Sequence, residues 1–323
     1  MARIGTDIEL AKELLEKGEV VAIPTETVYG LAGNALNEDA VLTIFEVKKR
    51  PAFDPLIMHV ASLEQLAAYV ETIPEPALRL ADAFWPGPLT ILLPRKKIIP
   101  DLVTSGLPTV AVRIPNHPLT LRLLESLAFP LAAPSANPFG YISPTTAQHV
   151  ADQLGSQIPY ILDGGACGIG LESTIVGFED NEPVIYRLGG MSVEQIEKVV
   201  GKATVRSHSS SNPKAPGMLS SHYAPRKPLV LLPTHYASDG SRLSLEGLRD
   251  VGALAFKQPL PGILPENQRI LSPTGNMAEA AKNLFAYLRE LDGLNIEMIY
   301  AEILPDDGLG RAINDRLNRA AAR

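Results

Sequence analysis

Residues 20–31 read Val20-Val21-Ala22-Ile23-Pro24-Thr25-Glu26-Thr27-Val28-Tyr29-Gly30-Leu31. The first four are apolar and mostly β-branched, which predicts a short buried strand. Pro24, with its fixed φ and no backbone N–H, cuts that strand off. Three polar residues, Thr25, Glu26 and Thr27, follow directly. In α/β sheets, ligands sit outside the carboxyl ends of strands. The polar run is therefore either a hydrogen-bonded turn or part of a binding site.

The flanking sequence alternates helical and strand patterns. Thr6 to Glu9 reads as a capping box, with Ile8, Ala11, Leu14 and Leu15 on one helical face and Gly18 as the stop. Asn37 caps a second helix, which has Glu38 and Asp39 in its first turn and Lys48 and Lys49 in its last. Leu56–Val60, Leu89–Leu93, Thr109–Ile114, Pro130–Ala133, Pro159–Leu162, Ser173–Val176 and Pro183–Arg187 read as further strands. Helices are expected from Ser62, over His117–Leu127, Pro144–Leu154 and Val193–Val200. This interleaving predicts an α/β domain with a mixed sheet over residues 1–200.

From Gly201 to Lys227 apolar periodicity disappears. Ser207, Ser209, Ser210, Ser211, Asn212, Pro213, Pro216, Gly217, Ser220, Ser221 and Pro225 mark a linker. Met218, Leu219, His222 and Tyr223 interrupt it, so part of the linker is expected to dock. Residues 228–323 then predict a smaller three-layer α/β unit. Its strands are Leu229–Leu232, Val251–Phe256 and Ile296–Leu304, with a helix capped by Asn276 and a last one over Leu309–Ala322.

Composition agrees with two folded domains. The chain has 323 residues and is 46% hydrophobic, which excludes a disordered protein. Its 29 basic and 36 acidic residues give a net charge of −7, and the mean hydropathy is +0.08. That sign disfavours a general nucleic-acid binder, which needs a broad basic surface, but not a local pocket for a small polyanion. One cysteine, Cys167, excludes a disulfide framework and fits a reducing cytosol. Neither a signal peptide nor an apolar stretch of membrane-spanning length is evident, so a cytoplasmic location is expected.

The common nucleotide, metal and hydrolase motifs are missing: there is no P-loop, C-x-x-C, H-E-x-x-H or G-x-S-x-G. Unusual polarity at element ends remains. Lys48-Lys49-Arg50-Pro51 closes a helix. It serves either as dipole complementation or, since Pro51 pushes Arg50 out of the helical region, as two cations converging on one anion. His59 lies in an apolar strand, and Arg113 ends another, where a buried guanidinium needs a carboxylate or phosphate partner. Ser135, Asn137, Ser143, Ser173 and Arg187 also stand at element ends. Together these positions suit a polyanionic, hydroxyl-bearing ligand pair.

Seven segments in order, Pro24–Leu31 (PTETVYGL), Lys48–Pro51 (KKRP), Pro55–Val60 (PLIMHV), Phe84–Thr90 (FWPGPLT), Val110–Pro115 (VAVRIP), Ser135–Asn137 (SAN) and Tyr186–Gly189 (YRLG), resemble the threonylcarbamoyl-AMP synthases, the YrdC-like family. Pro213–Pro225 (PKAPGMLSSHYAP) resembles the linker of the two-domain form. The resemblance implies an N-terminal YrdC-like twisted mixed-sheet domain with a concave basic cleft over 1–200. It also implies a linker and active-site lid over 201–227, and a smaller C-terminal Rossmann-like α/β domain over 228–323. The implied enzyme is a nucleotidyltransferase that makes threonylcarbamoyl-AMP and pyrophosphate from L-threonine, bicarbonate and ATP, with Mg²⁺ accompanying ATP. A downstream tRNA threonylcarbamoyltransferase then uses the product, and no stable nucleic-acid or membrane binding is expected. By the same resemblance, Thr27, His59, Arg113 and Ser173 match threonine-binding positions, as does Ala133 through its backbone. Arg50, Asp54, Thr109, Ser135, Asn137, Ser143, Arg187 and Tyr223 match ATP-binding positions, and Lys48 with Arg50 is expected to be catalytic. No metal site built from protein residues is implied.

Overall fold

The computed structural model describes residues 1–207, 213–219, 222–232 and 250–322. They divide into two compact units. The first holds Met1–Phe139, Ser143–Gly168 and the described residues of Glu172–Leu219. The second holds Gly140–Ile142, Ile169–Leu171 and the described residues from His222 onward. The chain passes between units inside the 201–227 segment; the expectations on Ser209–Asn212, Ser220 and Ser221 lie outside the described residues.

In the first unit, β1 (Arg3–Gly5), α1 (Ile8–Glu16) and β2 (Val21–Ile23) precede β3 (Gly30–Asn34) and α2 (Glu38–Lys48). Next come β4 (Ile57–His59), α3 (Leu63–Leu66), α4 (Glu75–Phe84), β5 (Leu89–Pro94), α5 (Asp101–Thr104) and β6 (Thr109–Arg113). Then follow α6 (Pro118–Ser126), β7 (Leu131–Ala132), α7 (Ala147–Leu154) and β8 (Tyr160–Leu162). β9 (Thr174–Glu179), β10 (Glu182–Arg187), α8 (Val193–Val200) and β11 (Thr204–Val205) complete it. The strands form one mixed sheet in the order β1-β8-β2-β3-β7-β4-β6-β5-β9-β10-β11.

Period-2 alternation sorts the two faces of this sheet. Val110 and Val112 enter the main core with Met58, Leu89, Ile91, Val176 and Ile185. Ala111 faces the other way, with Ile57, Ile175, Val184 and Tyr186.

Two helix starts differ from expectation. Asp7, not Thr6, caps α1: its carboxylate accepts from the Leu10 N–H at 3.1 Å. The anionic cap suits the helix N-terminus better than a threonine hydroxyl does. The helix expected from Pro144 begins at Ala147, where the Thr146 hydroxyl accepts from His149 N. Pro144 is committed elsewhere, its carbonyl accepting from the Tyr29 N–H at 2.9 Å. β3 was not expected at all, because Gly30-Leu31-Ala32-Gly33-Asn34 lacks strand-favouring residues. It forms because it pairs antiparallel to β2 and β7.

The second unit is a parallel sheet of β12 (Leu229–Leu232), β13 (Val251–Ala255), β14 (Gln268–Ile270) and β15 (Met298–Glu302), ordered β12-β15-β13-β14. α9 (Met277–Gly293) and α10 (Gly310–Ala321) pack against it and each other. Asn276 caps α9 as expected, accepting from Ala278 N and Glu279 N. Residues 233–249, between β12 and β13, lie outside the described residues, and the expectation of three layers extends to them.

Candidate active site

β4 and β6 run parallel with His59 opposite Arg113, which places both side chains on the face of Ile57 and Ala111 at the strands' carboxyl ends. His59 is buried, with Nδ1 3.3 Å from the Ile57 carbonyl oxygen. Burial, and after it the Arg113 guanidinium, pushes its pKa down to about 3. The ring is therefore neutral at physiological pH and leaves Arg113 as the cation of the pair.

This shift carries a pH dependence. The folded value lies below the unfolded one, so the unfolded chain takes up the proton first. The stability contributed by neutral His59 is complete above pH 6.5 and is lost as pH falls toward 3. Between pH 8 and pH 5, denaturant unfolding should show the wild type losing about 2 kcal/mol relative to His59→Gln.

Arg113 is held on three sides. Nε donates to the Gly87 carbonyl at 3.1 Å, Nη1 donates to Thr27 Oγ1 at 2.9 Å, and Nη2 lies 2.7 Å from Glu26 Oε1. The polar run after β2 thus divides its labour. Thr25 makes the hydrogen-bonded turn, its hydroxyl donating to the Val28 carbonyl and accepting from Thr27 N and Val28 N. Glu26 and Thr27 meet Arg113. The partner expected for this buried guanidinium is Glu26, which sequence reasoning quoted in the polar run but did not pair.

A second cluster stands on β5, β9 and β10. Ser173 Oγ is 2.7 Å from Thr90 Oγ1 and accepts from Arg187 Nη2 at 2.9 Å, while Arg187 Nε donates to the Ser173 carbonyl. Arg187 reaches this position through a bulge: the register shifts between Ile185 and Arg187, so that Arg187 pairs with Ile175 and shares its face. Gly189 lets the chain close in, since a Cβ there would lie 2.3 Å from the Glu172 carbonyl oxygen. Ser143 donates to Glu172 Oε1.

The cations at the end of α2 have separate partners. Lys48 is buried and donates to the carbonyls of Ser135 and, at 2.6 Å, Asn137. Burial first, then Arg50, holds its pKa well below the usual lysine value. Arg50 pairs with Asp54 at 2.9 Å, with the side chains 5% and 0% exposed. It also donates to the carbonyls of Asp54 and Pro55. Ser135 bridges to Gly30, whose missing side chain allows the approach: a Cβ on Gly30 would sit 3.3 Å from the Ala133 methyl. The Ala133 N–H is given to the Ile57 carbonyl at 2.9 Å.

Thr109 lies at the far end of β6 on the same face as Arg113. It borders a cavity of about 490 Å³ lined by Leu92, Pro94, Phe178, Glu179 and Tyr186 among others. The apolar floor between these polar ends is covered by residues 213–219. Ala215 and Met218 pack on Ile57, Ala111, Ile175, Val184 and Tyr186, and the Gly217 N–H donates to Asp54 Oδ1 at 3.3 Å. All predicted site residues except Tyr223 lie in this unit. Tyr223 belongs to the second unit, stacked 5.6 Å from Phe285 with the Arg316 guanidinium 4.7 Å from its ring centre. Among the described residues no cluster of three His, Cys, Asp or Glu could hold a metal ion. Cys167 is buried and its thiol is pushed up to about 12, which leaves it inert as a nucleophile. No described helix is long and apolar enough to cross a membrane.

The fold and site define a two-unit α/β protein whose larger unit gathers hydroxyl and guanidinium groups on one sheet face. A family model described as telomere recombination, covering Sua5, YciO and YrdC, matches residues 13–189. A second, described as the C-terminal domain of threonylcarbamoyl-AMP synthase, matches residues 191–322. The chain belongs to the threonylcarbamoyl-AMP synthase family. It is 41% identical to the threonylcarbamoyl-AMP synthase of Pyrococcus abyssi, over 97% of this chain and 94% of that one. It is 42% identical to the Bacillus subtilis synthase, over 97% and 92%. The crystal structure of P. abyssi Sua5 complexed with L-threonine matches with a TM-score of 0.89 and 41% identity, covering 97% of this chain and 94% of that one.

Proposed function

We propose that this chain makes threonylcarbamoyl-AMP and pyrophosphate from L-threonine, bicarbonate and Mg-ATP, the first step in forming N6-threonylcarbamoyladenosine on tRNA. The observation that carries the reading is the buried Arg113 at a strand's carboxyl end, flanked by Thr27 and neutral His59, in a chain so similar to curated synthases. A guanidinium there suits the α-carboxylate of an amino acid. Thr27, His59 and Ser173 supply polar partners for the remaining groups, and Ala133 offers its carbonyl.

The carbamate formed from threonine and bicarbonate is short-lived and attacks the α-phosphate of ATP. The protein's task is to align the two and exclude water. In this reading Arg50, Asp54, Thr109, Ser135, Asn137, Ser143 and Arg187 line the nucleotide path on the sheet face, and Tyr223 is a further ATP position. Arg50 and Arg187 offset phosphate charge, as Mg²⁺ arriving with ATP does. Lys48 holds the Ser135 and Asn137 carbonyls and so fixes the loop that presents Ser135. Residues 213–219, which cover the apolar floor, act as the lid.

Pyrophosphate release that requires both threonine and bicarbonate, with labelled bicarbonate entering the adenylate, is the expected outcome. Equal ATP cleavage without threonine would sink the reading. Serine keeps the hydroxyl and lacks one methyl, worth roughly 1–3 kcal/mol in a fitted pocket. Threonine should therefore be preferred by kcat/KM about tens to hundreds of fold; equal efficiencies would mean the methyl is not sensed. Hydrogen exchange across residues 213–219 should slow when ATP and threonine are added together. Unchanged exchange would leave that segment a fixed part of the sheet face.

A further inference from the structure

Resting on the synthase reading above, we infer that Glu26 receives the α-ammonium group of threonine and takes the proton that carbamate formation releases. Glu26 and Arg113 form a close ion pair of unusual alignment. Arg113 Nη2 is 2.7 Å from Glu26 Oε1, yet among the described residues neither Glu26 oxygen accepts an aligned hydrogen bond, and Nη2 donates none. A carboxylate whose purpose was to neutralise the arginine would settle into the two-point fork that guanidinium and carboxylate favour. Here Nε and Nη1 are fixed by Gly87 and Thr27, so the guanidinium cannot turn to offer that fork. The N–H bonds of Nη2 and the lone pairs of Glu26 are left for a third party.

The pair is a positive and a negative group side by side, and an amino acid presents the opposite pair. With the substrate carboxylate on Nη2, its ammonium, one carbon away, lies toward the adjacent Glu26 carboxylate. Charge closes as well: a second carboxylate on Arg113 leaves an excess negative charge that the ammonium cancels. His117 and Cys167 also lie near Glu26. Burial lowers the pKa of His117 and raises that of Cys167, favouring the neutral form of each. Both Glu26 carboxylate oxygens are buried, and the 12% exposure of the side chain lies on its other atoms.

The step balances. Threonine ammonium, bicarbonate and Glu26 carboxylate give threonine carbamate, water and Glu26 carboxylic acid. The amine nitrogen forms its bond to the bicarbonate carbon, one C–O bond of bicarbonate breaks, and its oxygen leaves as water. Of the ammonium protons, one goes to Glu26, one to the departing oxygen, and one stays on the carbamate nitrogen.

Glu26→Gln keeps the shape and removes the charge, and two readouts separate the roles. In calorimetric titration, wild-type protein should bind threonine in preference to 3-hydroxybutanoate, which lacks the amine. The variant should lose about tenfold or more on threonine and little on the analogue. At pH 7 its kcat/KM for threonine should be down at least about 100-fold, then recover by about tenfold per pH unit as free amine accumulates. Glu26→Asp, which keeps the charge, should retain the wild-type preference and pH profile at lower turnover. Equal weakening of both ligands, or a deficit that persists unchanged up to pH 9, would overturn the inference and leave Glu26 a support for Arg113. Failure of the wild type to bind threonine at all would remove instead the reading beneath it.

Discussion

Arg113→Ala should lower kcat/KM for threonine by about 30-fold to several thousand-fold, since truncating one member of a buried charge pair costs about 2–5 kcal/mol. Two losses combine. The substrate carboxylate loses its guanidinium, and Glu26, only 12% exposed, is left beside no cation. Arg113→Lys should not restore activity, because an ammonium cannot serve the Gly87 carbonyl, the Thr27 hydroxyl and a carboxylate from one plane. The KM for ATP should move little, because Arg113 sits with Thr27 and His59, the groups proposed to face threonine. Steady-state kinetics with each substrate varied checks this, and a variant with normal threonine KM and turnover would place threonine elsewhere.

Lys48→Met should be the most destabilising single change at the site. The side chain is 1% exposed and its ammonium satisfies two carbonyls, those of Ser135 and Asn137. Leaving two buried carbonyls unpaired costs about 1–3 kcal/mol each. A drop of about 3–5 kcal/mol and a Tm lower by about 10 °C are expected. Methionine fills similar volume, so the loss reports hydrogen bonds and not a cavity. Calorimetry with ATP titration separates stability from function: the folded fraction should also bind ATP more weakly, since the Ser135–Asn137 loop loses its anchor. A variant as stable as wild type would mean that Lys48 is a solvated phosphate ligand and not the loop's support.

Much of the site was legible because its residues carry a local signal. A guanidinium at the end of Val110-Ala111-Val112, or a histidine in Ile57-Met58, is conspicuous where burial is costly. Caps such as Asn37 and Asn276 were legible for the same reason, as their bonds span two or three residues. The missed features depend on distant partners. β3 has poor strand residues and exists only through its neighbours on either side. Glu26 gains its meaning from an arginine 87 positions away, and Lys48 from carbonyls 87 and 89 positions away.

Local signals were enough to read two α/β units, the strands that carry His59 and Arg113, and a linker expected to dock, because hydrophobic period, capping and turn chemistry act over a few residues. The tertiary structure alone decided which charges meet. The β4–β6 register set His59 against Arg113, the bulge in β10 turned Arg187 onto the face of Ile175, and the linker parted so that Met218 lies on the sheet of the first unit and Tyr223 within the second. Register and bulges arise from pairing between strands far apart in the chain, and a shift of one residue sends a side chain to the opposite face.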